Sequence, residues 1–152
     1  MTIAIVLRHK GAAIVSVTPD TSVFEAASVI ARRRIGAVLV LGEGGALVGI
    51  LSERDVVRAL VEHGQAMMTM RVEQLMTRDV QVASPETSVI EAMEIMDAGY
   101  FRHLPVIGAD GALCGIVSVR DLVRHRIQVQ QGDVESLQAY VMGRGYGTGA
   151  LV

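Results

Sequence analysis

The sequence predicts a mixed α/β (α+β) fold built from two pseudo-symmetric β-α-β-β-α units that share one core. Three observations carry that expectation. First, the chain repeats itself. Displaced by 66 residues, Pro19 falls on Pro85, Thr21-Ser22-Val23 on Thr87-Ser88-Val89, and Arg54-Asp55 on Arg120-Asp121. No gap is needed between Pro19 and Arg58, and 18 of those 40 positions are identical, far above what unrelated segments show. Second, β-branched apolar runs alternate within each copy with stretches of helical spacing. Third, the link between the copies, about residues 65–71, is short and Met-rich and leaves little room for independent domains. The expected organisation is a first unit over 1–65, a second over 66–130, and a C-terminal helix with a flexible tail over 131–152.

Each element has a local reason. Residues 3–10 read as a short helix stopped by Gly11, and Ile14 to Val17 as a short strand. After the turn Thr18-Pro19-Asp20, Ser22 and Glu25 form a capping box for a helix to about Arg33, with Val23, Ala26, Ala27 and Ile30 at helical spacing. Ile35 to Leu41 is a nearly continuous apolar run, which suits a buried strand. A turn at Gly42 to Gly45 returns the chain through a strand over Ala46 to Leu51. A helix from Glu53 to about Glu62 stops near Gly64. The second unit repeats this plan. A short helix spans Val72 to Met76, a strand Val80 to Val82, and a helix Val89 to Ala98 that ends at Gly99. Strands follow over Leu104 to Ile107 and Ala112 to Val117, then a helix over Arg120 to Gln128. Beyond the repeat, Gly132-Asp133 reads as the cap of a separate helix to about Met142, and Gly143 to Ala150 as a flexible tail.

Composition narrows the function. Of the 152 residues, 51% are hydrophobic and 20% charged, so a core is expected and disorder is not. Aromatics are 3%, with no Trp, which leaves the core to Val, Ile, Leu, Ala and Met. A net charge of -2 and the lack of a basic run give no electrostatic case for nucleic acid. No apolar run approaches the roughly 20 residues of a membrane span. The N-terminus lacks the pattern of a signal peptide. A single Cys, Cys114, cannot form an internal disulfide and reads as a small buried residue. The expected setting is cytoplasmic, with no membrane partner.

The chemistry lies in Gly49-Ile50-Leu51-Ser52-Glu53-Arg54-Asp55, which returns as Gly115-Ile116-Val117-Ser118-Val119-Arg120-Asp121. Each copy ends an apolar run and begins a helical pattern. The unpaired N–H groups of a helix start attract anions. A Ser hydroxyl and an Asp carboxylate three residues apart, at Ser52 and Asp55 and at Ser118 and Asp121, suit a ribose diol. Arg54 and Arg120 can reach a phosphate. Ser-x-x-Asp is also a capping box, and for one copy alone capping is the commoner explanation. Two copies in one register, each with the same Arg and Gly, favour a ligand.

A strand-helix-strand-strand-helix unit present twice, with Thr18-Pro19-Asp20-Thr21-Ser22-Val23 and Ser84-Pro85-Glu86-Thr87-Ser88-Val89 ahead of those motifs, resembles the tandem CBS (cystathionine β-synthase) domain pair of stand-alone bacterial type. Arg102-His103-Leu104-Pro105-Val106 is similar to that family's second unit, and the resemblance covers about residues 3–128. It implies a disc-shaped homodimer. It also implies clefts that bind adenosine compounds, namely AMP, ADP or ATP, with S-adenosylmethionine as a further possibility and no obligatory cofactor. In that frame Asp55 and Asp121 hold ribose hydroxyls beside Ser52 and Ser118. Thr18 and Ser84 lie near the base. Arg102 and His103 enter close to phosphates, and Ala37 and Pro105 are further candidates for contact with the base or phosphate. The first unit has Gly36 and Ala37 where the second has Arg102 and His103, and Leu39 for Pro105, so one tight and one weaker site are expected.

Other chemistries rank lower. His9, His63, His103 and His125 show no ligand spacing, so no metal site is expected, and His125 reads as a surface or helix-end residue. Gly42, Gly44 and Gly45 lack the Gly-Lys-Ser/Thr of a phosphate loop. Arg32-Arg33-Arg34 reads as a solvated helix end. No nucleophile–base arrangement is apparent, so no catalytic residue is assigned and an enzyme is not expected. The sequence reading is a nucleotide-responsive regulatory module, an energy sensor that signals to an unidentified regulated protein. The alternative is a constitutive interaction or scaffold module without ligand.

Overall fold

The computed structural model describes residues 1–11 and 13–147. It opens with α1 (Ile3–Lys10), which ends at Gly11 with a φ of 90°. β1 (Ser16–Val17) leads through a turn to α2 (Val23–Arg33), where the Ser22 side chain accepts the Glu25 N–H. β2 (Ala37–Leu41) and β3 (Leu47–Ser52) form an antiparallel hairpin, and β1 lies parallel to β2 on its other side. α3 (Glu53–His63) follows β3 directly. A 3-10 turn over Gly64–Thr69 leads to α4 (Val72–Leu75) and α5 (Val89–Gly99). β4 (His103–Ile107) and β5 (Leu113–Ser118) form the second hairpin, and α6 (Val119–Gly147) closes the described chain.

The two halves exchange their opening helices. Ile3 and Val6 of α1 are buried among Val89, Met96, Leu104 and Leu122 of the second half. Val72 and Met76, at α4, are buried among Ala26, Val38, Val40 and Leu51 of the first half. Backbone bonds fix both crossings in the same way. The Ile3 N–H donates to Thr87 O, and the Val72 N–H to Thr21 O. The Val89 N–H donates to Met1 O, and the Val23 N–H to Met70 O. Val23, Ala59 and Met67 form a third small cluster over the link. The halves therefore share their core by trading a helix, an arrangement that periodicity within one unit does not reveal.

The crossings also reveal a shift in register. Ile3 matches Val72, a spacing of 69, whereas Pro19 matches Pro85, a spacing of 66. The connection from the first crossing helix to its sheet is thus three residues longer. α1 has 8 residues against 4 in α4, and Lys10 stands at its end.

Four expectations are corrected. The strand expected over Val80 to Val82 is reduced to one parallel bridge, Ala83 to Val106. The cause is Pro105. In the first half the Leu39 N–H donates to Val15 O, but Pro105, at Leu39's position, has no N–H to give to Gln81. Second, α6 is one helix of 29 residues and passes through Gly132 without a break. No side chain meets Gly132, and propagation adds one hydrogen bond per residue, which outweighs roughly 1 kcal/mol for a helical glycine. The helix includes residues 143–147 of the expected tail, and Thr148 to Ala150 lie outside the described residues. Third, Gly99 is the last helical residue rather than the stop, and Tyr100 takes the left-handed position at φ 56°. A Cβ at Gly99 would run into the Phe101 ring. Fourth, His125 is buried, at 7% exposure, because α1 lies over the start of α6. Its ring stacks on His9 with centroids 5.8 Å apart, and its Nε2 meets Met1 Sδ at 2.7 Å.

Both crossings run beneath a glycine. A Cβ on Gly49 would lie 2.5 Å from Met76 Sδ and 3.0 Å from the Thr77 carbonyl oxygen. For a Cβ on Gly115 the three nearest atoms all belong to the Leu7 side chain, the first at 2.9 Å. Gly49→Ala is therefore expected to cost about 1–3 kcal/mol in urea unfolding, because backbone is in the way. Gly115→Ala is expected to cost less, because a leucine can change rotamer; equal losses would contradict this account.

Candidate functional site

The two strand-to-helix junctions are built alike. The Ser52 hydroxyl accepts the Asp55 N–H at 3.2 Å, and Asp55 Oδ2 accepts the Ser52 N–H at 2.9 Å and the Ser52 hydroxyl at 3.0 Å. Asp121 Oδ2 accepts the Ser118 N–H at 2.8 Å, and the Ser118 hydroxyl accepts the Asp121 N–H at 3.1 Å. Capping is thus present at both junctions. It does not exhaust them, because a carboxylate has about four acceptor sites and the cap uses one oxygen. Asp55 Oδ1 has Arg58 Nη1 at 3.9 Å as its charged neighbour among the described residues. The cap fixes the rotamer and leaves the second oxygen for another donor.

Each junction opens into a cleft made by both halves. The Asp55 cleft, about 260 Å³, lies between Ser52, Arg54 and Arg58 on one side and Thr77, Asp79 and Gln81 on the other. Tyr100 and Phe101 also line it, and Arg54 Nη1 donates to the Tyr100 carbonyl at 3.3 Å. The Asp121 cleft is larger, about 970 Å³, and more open. Ser118, Arg120 and Arg124 face Lys10, Val15 and Arg34 across it, with Ala37 on its wall. Volumes of a few hundred to a thousand Å³ accommodate a small organic ligand.

Arg102 and His103 border both clefts, together with Gly36. The expectation that they serve a single site is corrected by that placement. Gly36 makes it possible, since a Cβ there would lie 2.6 Å from His103 Cε1 and 3.1 Å from Glu53 Oε1. Burial, then the neighbouring Arg102 and Lys10 charges, lower the His103 pKa against the opposing pull of Asp121 and Glu53. The ring is therefore neutral at pH 7, and Arg102 carries the positive charge between the clefts.

The clefts differ at Lys10. Its ammonium sits 2.7 Å from Asp121 Oδ2 and donates to the Ile116 carbonyl at 2.7 Å. In the other cleft the matching carbonyl, Ile50 O, accepts the Thr77 N–H instead. Burial raises the Asp121 pKa, but the Lys10 ammonium and the Ser118 N–H outweigh it and hold the carboxyl below its ordinary value. The 66-residue duplication alone could not locate Lys10, because the crossing segments match at a spacing of 69 rather than 66.

Thr18, Ser84 and Pro105 line neither cleft. The Thr18 hydroxyl donates to Asp20 Oδ1 at 2.6 Å, and its N–H to Thr21 Oγ1 at 3.1 Å. The Ser84 hydroxyl lies 3.2 Å from Thr87 Oγ1. Both side chains hold their own turns. Pro105 is buried in β4 and acts on the backbone, by shortening the adjacent strand. Thr77, Asp79, Gln81 and Tyr100 are not singled out by the sequence, and Arg34, expected as part of a solvated helix end, borders the Asp121 cleft instead. Arg58 and Arg124 could have been, since they match across the register.

The chain belongs to the CBS domain family, whose pattern matches residues 12–62 and again 72–127. It is 35% identical over 133 residues to the mitochondrial CBS domain-containing protein CBSX3 of Arabidopsis thaliana, covering 85% of this chain and 64% of that one. The crystal structure of a CBS-domain-containing protein from Agrobacterium tumefaciens superposes with a TM-score of 0.79 at 38% identity, covering 82% of this chain and 92% of that one. CBSX2, solved in complex with AMP, superposes with a TM-score of 0.67 at 27% identity, over 80% and 91% of the two chains. Among the described residues no helix is long and apolar enough to cross a membrane.

The Lys10–Asp121 pair gives a pH signature. Because the folded pKa of Asp121 lies below 3.8, its ionised form contributes stability that is complete above that value and lost as the pH falls through the folded pKa. Lys10→Met is expected to be less stable than the parent at pH 7 by urea unfolding. The gap should narrow as the pH falls below 3.8. A gap constant from pH 7 to pH 2.5 would show that Lys10 acts by packing alone.

Proposed function

We propose that this chain is a regulatory module that binds adenosine-type nucleotides, AMP, ADP or ATP, in its two clefts and signals their occupancy to a partner protein. The observation that carries the reading is the duplicated junction. A capped carboxylate, a helix N-terminus and an arginine meet at the wall of each cleft. In this reading Asp55 and Asp121 accept ribose hydroxyls, with Ser52 and Ser118 beside them, and Arg54, Arg120 and the shared Arg102 meet phosphate. The AMP complex of CBSX2 supports the choice of ligand, and S-adenosylmethionine is a further member of the same class. The module acts by binding rather than by catalysis, and its setting is the cytoplasm.

A homodimer completes the proposal. Phe24, Val57 and Val61 are exposed on α2 and α3, and Ile90, Val123 and Ile127 repeat them on α5 and α6. Apolar residues exposed at matched positions of both halves suit a self-complementary interface. Val61 is 82% exposed, so Val61→Glu is tolerated by the single chain but not within such an interface. Sedimentation equilibrium should show a dimer for the parent and a monomer for Val61→Glu; identical masses would refute the interface.

The nucleotide reading is tested by calorimetric titration with AMP, ADP, ATP and S-adenosylmethionine. The parent is expected to bind at least one of them, with Asp55→Ala and Asp121→Ala each weakening one site by about tenfold or more, the worth of hydrogen bonds to a charged group. No heat from any of the four, with folded protein free of carried-over nucleotide, would favour the scaffold reading.

A further inference from the structure

The internal duplication allows the two clefts to be compared position by position, and the comparison shows that they differ in charge. Both have the matched arginines, Arg54 and Arg58 in one and Arg120 and Arg124 in the other, and both share Arg102. The Asp121 cleft adds Lys10 and Arg34. At the position of Arg34 the Asp55 cleft has Tyr100. Where Lys10 enters from the longer crossing segment, the shorter one brings Asp79 to the Asp55 cleft. The Asp121 cleft is thus lined by five cations against Glu53 and Asp121, and the Asp55 cleft by three against Asp55 and Asp79.

The backbone strengthens the contrast. Arg34 and Tyr100 are the only described non-glycine residues with positive φ, at 53° and 56°. Glycine or asparagine is the usual occupant of such a helix-ending position, and a bulky residue there costs energy. Both positions border the clefts, Arg34 the Asp121 cleft and Tyr100 the Asp55 cleft. A residue kept at this cost in both halves, cationic in one and aromatic in the other, points to a role in discriminating ligands. Lys10 has a third N–H beyond its bonds to Asp121 and Ile116, which leaves a donor for an incoming anion.

We propose that the clefts take ligands of different charge. The Asp121 cleft takes a nucleoside di- or triphosphate, with Arg34, Arg120 and Arg124 around its phosphates and Lys10 at the carboxylate. The Asp55 cleft takes a nucleoside ligand with no more than one phosphate, and Tyr100 offers an aromatic face. This assignment deepens the nucleotide reading and rests on it for the nucleoside part. The charge part stands on the cation sets alone.

The experiment is calorimetry in magnesium-free buffer on the full chain with AMP, ATP and inorganic tripolyphosphate. In Asp55→Ala, where the Asp121 cleft remains, ATP is expected to bind at least about tenfold more tightly than AMP. In Asp121→Ala that preference should vanish. Arg34→Asn, which tolerates the left-handed turn, should weaken ATP and tripolyphosphate about tenfold at the Asp121 cleft with an unchanged melting temperature. Tyr100→Arg should create a preference for ATP in the Asp55 cleft, a gain that misfolding cannot produce. Equal ATP-to-AMP ratios in the two single-cleft variants overturn the proposal. If neither nucleotide binds anywhere, the nucleoside reading falls, and tripolyphosphate decides the charge assignment. Binding that depends on Lys10 and Arg34 upholds it, and binding that does not, or none, overturns it.

Discussion

The contact on which the rest of this structure depends is the exchange of opening helices. Ile3 is fully buried in a core made otherwise by the second half, and Val72 is fully buried in the core of the first. Emptying such a position typically costs 2–5 kcal/mol, a large part of the stability of a small domain. Each core is completed by the other half's segment. The crossing strands of chain then run on to the cleft walls, one bringing Lys10 and the other Thr77 and Asp79. Completion of the cores and assembly of the clefts are therefore one event. A ligand that bridges a cleft acts across the same boundary that the helices cross.

The duplication makes small departures from symmetry easy to interpret. Proline as the counterpart of Leu39 removes one N–H and with it most of a strand, leaving Val80 and Gln81 to line the Asp55 cleft. α1 runs on further than α4 and delivers an ammonium to the second carboxylate. Gly36 and Ala37, small where Arg102 and His103 are large, give room for those two side chains between the clefts. Each change is local, and together they turn two copies of one design into two different sites.

Much of this was legible in the sequence because it is encoded locally. Ser22, Ser52, Ser88 and Ser118 stand at helix or strand junctions because a short side-chain oxygen satisfies a helix N–H, a signal that needs no tertiary context. Arg54-Asp55 and Arg120-Asp121 reached the clefts for the same reason. What remained hidden depends on distant contacts. His125 looked like a surface residue because nothing nearby in sequence shows that Met1 and His9 lie against it. Thr18 and Ser84 were placed near a ligand, yet their hydroxyls are taken by Asp20, Thr21 and Thr87 within their own turns. The break expected at Gly132 rested on a capping signal that lost to an uninterrupted helix on both sides.

That uninterrupted helix has a mechanical consequence. Its first turn carries Asp121 at the larger cleft, and its 29 residues make a rod about 43 Å long. Val134, Leu137 and Val141 are exposed along the far part of that rod. A tilt of only 5° about the cleft would carry the distant end through about 4 Å, since displacement grows with rod length at 1.5 Å per residue. The geometry is that of a lever with a short arm at the carboxylate and a long arm in solvent. Two separate helices joined at a flexible glycine would absorb such a rotation at the joint, whereas a single rod transmits it.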